Sequence, residues 1–292
     1  MSVVAISESM GSLGVEIGRT LAAWLGHEFA ERDIIAKAAD RFGEDVARLT
    51  HAAEERPTLI ERFSASHRRF ADYVQATVYE MAARDNMVLA GLASTIILAA
   101  APHTLRVRVT AAEPRRAGRV AQALGLTPAA ARDRVRESDR ERAGRVRFLY
   151  HVDWDDPLVY DLVINTDRIG AEEGARLAQR ALEQDHFQST ERSRRALRDL
   201  SLAAQARVVL TADPVTRARL ITVECTDGVV ALGGRVEEWS VRRAAEQALA
   251  RVPGIQELRF LAPAAIDGEG ANPAGDDLHG SSHRWGGFGR GQ

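Results

Sequence analysis

The opening of the chain limits its fold more than any other stretch. Val3-Val4-Ala5-Ile6 is a short apolar run of the kind that forms a buried strand. It ends in Ser7-Glu8-Ser9-Met10-Gly11-Ser12-Leu13-Gly14, a Gly/Ser turn. Ile17, Leu21, Trp24 and Leu25 then recur at helical spacing. A strand that turns straight into an amphipathic helix is half of a βα unit, and repeats of that unit build a parallel sheet covered on both faces.

The unit does repeat. The spacing predicts a short helix over Asp33–Phe42, a break near Glu54–Pro57, and a long helix carrying the stripe Phe70, Val74, Val78 and Met81. Val88-Leu89-Ala90-Gly91 reads as a second buried strand, Leu105–Val109 as a third and Tyr160–Asn165 as a fourth. Pro114 opens a helix, Thr127-Pro128 forms an N-cap and first-turn pair, and Ala171 to about His186 is a further helix. In such folds ligands bind beyond the carboxyl ends of the strands. The loop after the first strand is therefore the first candidate site. A Gly/Ser turn at a helix start offers free N–H groups and a positive dipole end, which suits phosphate.

Composition narrows the chemistry of that loop. Of the 39 basic side chains in 292 residues only one, Lys37, is lysine. It follows no glycine-rich loop, so a phosphate loop ending in Gly-Lys-Ser/Thr is absent. The net charge of −2 argues against nucleic-acid binding. A lone cysteine, Cys225, excludes an intrachain disulfide and a cysteine-based zinc site. The longest uncharged apolar run, Met87–Ala101, falls short of the roughly 18 residues of a membrane span. No basic n-region precedes an apolar stretch at the start, so a cytoplasmic protein is expected.

Several pieces in order carry a resemblance: the first strand with Gly11-Ser12-Leu13-Gly14; Leu25-Gly26-His27 leading through Glu31 and Asp33; Val88–Gly91; Asp139 with Arg142; and Trp154, Asp156-Pro157, Tyr160-Asp161-Leu162 up to Asn165-Thr166. From about Val3 to Leu182 the chain resembles the cytidylate kinase-like family, nucleoside monophosphate kinases of P-loop fold. The resemblance implies an α/β fold, a P-loop kinase-like parallel sheet with helices on both faces. It implies ATP and Mg²⁺ as cofactors and a CMP-like acceptor. Gly11, Ser12, Leu13, Gly14, Val15 and Glu16 would bind the donor phosphates, and Glu31, Asp33 and Gly91 the acceptor. Arg140 and Arg142, with Asp139, would act on the transferring phosphate from an arginine-rich lid. No metal-ligating residue is assigned. In that alignment relatives carry arginine near the loop, yet Glu8, Val15 and Leu92 stand at those places and Glu16 at the usual hydroxyl position. Two functional readings follow: a kinase that relies on lid arginines, or a non-catalytic descendant that senses nucleotide or serves as a scaffold.

The pattern changes near residue 190. A helix over Arg194–Leu210, a strand over Leu220–Cys225, the Asp227-Gly228 turn, a strand over Val229–Leu232, a helix over Val241–Val252 and a strand over Ile255–Leu261 make an αββαβ unit. The Asp-Gly hairpin, the glycines after its second strand and Val252-Pro253-Gly254-Ile255 resemble a BON domain. That resemblance implies a small α+β module that engages a protein partner, a ligand or a membrane surface; a plainer reading is a regulatory or oligomerising attachment, with a homo-oligomer as one outcome. The expected organisation is 1–186 kinase-like, 187–193 linker, 194–262 BON-like and 263–292 a glycine-rich tail too poor in apolar residues to fold.

Overall fold

The computed structural model describes residues 2–31, 33–42, 45, 65–91, 93–217 and 219–261. The tail expected over 263–292, the break near 54–57 and Leu92 lie outside the described residues, as does the side chain of Asp33.

Strands β1 (Val3–Glu8), β2 (Glu28–Ala30), β3 (Met87–Ala90), β4 (Thr104–Thr110) and β5 (Leu162–Asn165) form one sheet in the order β2-β3-β1-β4-β5. Every pairing is parallel, with Val4 beside both Val88 and Leu105. Strand order reverses at β1, which places a crevice beyond its carboxyl end. Successive residues alternate between two cores. Val3, Ala5, Met87 and Leu89 pack against helix α2 (Asp33–Phe42) and helix α3 (Ala65–Ala82) through Ile34, Phe70, Val74 and Val78. Val4, Ile6, Val88 and Val107 pack on the other face. They meet helix α1 (Gly14–Leu25) through Ile17 and Leu21, and a helix over Ala171–Leu182 through Ala175 and Ala178.

The remaining elements of this half are a single helical turn, α4 (Ser94–Ile97), and two helices that close over the crevice, α5 (Glu113–Leu124) and α6 (Pro128–Tyr150). Thr127 caps α6 by accepting from the Ala130 N–H at 3.3 Å. The helix Ala171–Leu182 is α7.

In this half one strand and two boundaries differ from expectation. Strand β2 is too short for its alternation to show in sequence. The strand expected from Tyr160 begins at Leu162, because Pro157–Val159 forms a 3-10 turn and the Tyr160 hydroxyl donates to the Trp154 carbonyl at 2.7 Å. The helix expected to reach His186 stops at Leu182, and Asp185–Phe187 form a separate 3-10 turn.

The carboxyl-terminal part holds helix α8 (Glu191–Ala212), strands β6 (Ile221–Thr226), β7 (Val229–Gly234) and β8 (Glu257–Phe260), and helix α9 (Trp239–Leu249). β6 and β7 are antiparallel, and β7 and β8 parallel. Asp227 and Gly228 both have positive φ, 50° and 78°, as a two-residue hairpin turn of this hand requires. Helix α8 faces two ways. Leu197, Ala204 and Val208 join the core around α3, while Ala203, Ala206 and Leu210 join the core of the smaller sheet with Val230, Leu232 and Ala245.

Candidate functional site

The loop from Glu8 to Gly14 joins β1 to α1 at the carboxyl edge of the large sheet. Gly11 has φ 77°, and a Cβ there would lie 2.8 Å from the Arg116 carbonyl oxygen. Leu13 stands in the left-handed region at φ 69°, ψ 22°, a conformation that costs a non-glycine residue about 1–2 kcal/mol. Ser12 is buried, and its hydroxyl donates to the Val109 carbonyl at 3.0 Å. The Thr166 hydroxyl donates to the Ser12 carbonyl at 2.8 Å. The loop is thus tied to β4 and to the residue after β5.

Its cations come from elsewhere in the chain. Arg119 donates to the Gly11 carbonyl at 3.0 Å and to the Thr166 carbonyl at 2.7 Å. Arg116 grips Asp139 with two nitrogens at 2.7 and 3.0 Å and donates to the Ala111 carbonyl at 2.8 Å. The Glu8 carboxylate leans over the start of α1 and accepts the Val15 N–H at 3.1 Å. Burial pushes the Glu8 carboxyl above its ordinary range, while Arg142 and that N–H pull it back. Glu16 is exposed in the first turn of α1, where the helix dipole favours an acid.

Beside the loop lies a cavity of about 520 Å³. Ile35, Phe70, Val74, Ile96, Val146, Leu149, Tyr150 and Trp154 supply its apolar lining. Glu8, Glu31, Arg134, Glu141, Arg142 and Arg145 supply its charge. Apolar walls with a few placed charges are typical of small-molecule sites of this size. The Trp154 indole N–H donates to the Ser7 hydroxyl at 2.8 Å. The Arg108 guanidinium stacks over the same ring, 3.6 Å from its centre, and donates to the Ser9 hydroxyl at 3.0 Å. These contacts fix the carboxyl end of the lid to β1. A larger space of about 640 Å³ lies between α3, α8 and the small sheet, away from the loop. There Asp199 already accepts the N–H groups of Asp227 and Gly228, both at 2.9 Å.

The candidate residues therefore divide. Gly11, Ser12, Leu13, Gly14, Val15 and Glu16 form the loop and first turn, and Glu31, Gly91 and Arg142 line the cavity. Arg142 also donates to the Glu8 carbonyl at 2.6 Å. Asp139 is held by Arg116 instead of facing the cavity, and Arg140 is exposed outside its lining. Sequence reasoning missed Arg108, Arg116 and Arg119 as loop supports. Arg116 and Arg119 sit three apart on one helix face, a spacing that a search for anion ligands could have used.

A five-stranded parallel sheet covered on both faces, with a Gly/Ser loop after its first strand and an arginine-bearing helix over the crevice, defines a P-loop kinase-like α/β protein. Residues 3–168 match the Cytidylate kinase-like family, and the chain belongs to that family. It is 28% identical over 181 residues to a cytidylate kinase of Methanopyrus kandleri, spanning 59% of this chain and 88% of that protein. It is 29% identical over 175 residues to a cytidylate kinase of Ignicoccus hospitalis, spanning 59% and 94%. Among solved structures, an uncharacterized protein from Eubacterium ventriosum aligns at TM-score 0.51 and 14% identity over 63% of this chain and 99% of that one. That likeness speaks to fold alone. Among the described residues no helix is long and apolar enough to cross a membrane.

Proposed function

We propose that the chain binds a nucleoside monophosphate such as CMP in the cavity and transfers the γ-phosphoryl group of ATP to it. An oxygen of the acceptor phosphate would bond to the γ-phosphorus as the bond from the β–γ bridging oxygen breaks, and ADP would leave. One observation carries this reading: Arg134, Arg142 and Arg145, with Glu8, Glu31 and Glu141, line a partly apolar space next to the loop of a kinase-family sheet. Phosphoryl transfer depends mainly on positioning and charge neutralisation, and guanidinium groups supply both.

The residues do not build a Mg²⁺ site by themselves. No group of three or more His, Cys, Asp or Glu converges among the described residues, and the Glu8 carboxylate is engaged by Val15. Any Mg²⁺ would come with the nucleotide phosphates, as it commonly does in such enzymes. The test is ADP formation from Mg²⁺-ATP with each monophosphate in turn. At least one acceptor should raise it well above an Arg142→Ala control, and no rise with any acceptor would sink the reading.

The Glu8 contact also favours a second reading, a non-catalytic nucleotide sensor or scaffold. Weak or absent Mg²⁺-ATP binding in calorimetry, with CMP still bound, would support it. On either reading the BON-like unit over 194–262 would serve a protein partner, a membrane surface or self-association.

A further inference from the structure

We propose that Glu8 is an internal occupant of the phosphate loop: its carboxylate and the donor phosphates of ATP exclude one another, and the loop takes nucleotide only after that side chain swings out. The inference rests on the kinase-type reading of the loop and adds a gate to it.

The geometry is that of an anion already in place. A helix start presents its first N–H groups to an anion, and here the Val15 N–H meets a Glu8 carboxylate oxygen at 3.1 Å. The fit depends on the neighbour. A Cβ on Gly14 would lie 2.5 Å from the Glu8 Cβ and 2.6 Å from its Oε2, so an acid in this pose and a side chain at position 14 cannot coexist. Arg142 holds the same residue through its backbone, donating to the Glu8 carbonyl at 2.6 Å. Arg142 offsets the acid in part, but the other two arginines that touch the loop are engaged elsewhere. Arg119 reaches the Gly11 and Thr166 carbonyls, and Arg116 is paired with Asp139. A phosphate entering while Glu8 stays ionised in place would meet a like charge at close range, which is repulsive.

The test is calorimetric titration of the full-length chain with Mg²⁺-ATP, and separately with CMP, for the native protein, Glu8→Ala and Glu8→Gln. Glu8→Ala should bind ATP at least tenfold more tightly than the native chain. Glu8→Gln should fall between them, because its amide oxygen can still accept the Val15 N–H after the charge is gone. Equal ATP affinity in all three, including no binding by any, overturns the proposal. Should Glu8→Ala fail to fold, as a melting curve would show, the near-isosteric Glu8→Gln carries the comparison against the native chain alone. CMP binding reports on the monophosphate reading independently: its failure in every form would sink that reading while the ATP comparison still decides the gate.

Discussion

Two arginines that touch the loop Glu8–Gly14 are committed to the protein itself, Arg116 to Asp139 and Arg119 to the Gly11 and Thr166 carbonyls. Beside the loop, Arg134, Arg142 and Arg145 line a space that could hold a ligand, and Arg142 also donates to the Glu8 carbonyl. The loop is backed by cations and filled by an acid, whereas the cavity is walled by hydrocarbon and edged by arginines and glutamates together. In this chain the charge suited to phosphate stands on the lid side of the crevice, and the Gly/Ser loop keeps its shape without its own cation.

The largest test of that contrast concerns what supports each side. The cavity wall leans on α8, since Leu197 packs into the cluster that includes Phe70 and Val74. Leu197→Ala should lower stability by about 2–5 kcal/mol and weaken CMP binding, while a support confined to the small sheet would leave CMP affinity unchanged. Chemical denaturation and calorimetry read the two effects. Next, Arg142→Ala should reduce CMP affinity about tenfold or more, the scale of hydrogen bonds to a charged group. Its melting temperature should fall modestly, because the bond to the Glu8 carbonyl is lost too. An unchanged CMP affinity would place the phosphate ligand elsewhere.

Smaller effects sharpen the same comparison. Leu13→Gly should stabilise the chain by about 0.5–1 kcal/mol, as the left-handed strain at φ 69° is relieved against the greater freedom of the unfolded glycine. Behind the cavity, burial pushes the Asp72 carboxyl up to about 6, with Arg207 of α8 opposing. The folded chain thus holds that proton more tightly than the unfolded one does. This contribution is complete below about pH 4 and is lost as pH rises through about 6. Asp72→Asn should flatten that part of the stability profile in melts across the range. Arg140→Ala, at an exposed site outside the cavity, should stay within about 0.5 kcal/mol and leave CMP binding unchanged.

Much of the scaffold was legible because it rests on local periodicity. The strand pattern Val3–Ile6, the stripe from Phe70 to Met81 and the Thr127-Pro128 start all correspond to observed elements. β2 escaped notice because three residues carry too little alternation. The site was half legible. The loop and Arg142 were named from sequence, and the family resemblance grouped Asp139 and Arg140 with Arg142. Around a helix, neighbours in sequence point in different directions: Asp139 meets Arg116, Arg140 meets solvent and Arg142 meets the cavity. The missing cations in the loop were visible as an oddity. That the Glu8 carboxylate takes up the Val15 N–H depends on three-dimensional clearance at Gly14, which no spacing encodes.

Helix α8 has one consequence for how the molecule comes apart. With Leu197 and Val208 in the core beside the large sheet and Ala206 and Leu210 in the core of the small one, neither core can lose this helix without exposing the other's apolar side chains. The two sheets should therefore unfold in a single cooperative transition, with amides in the middle of α8 among the last to exchange with solvent.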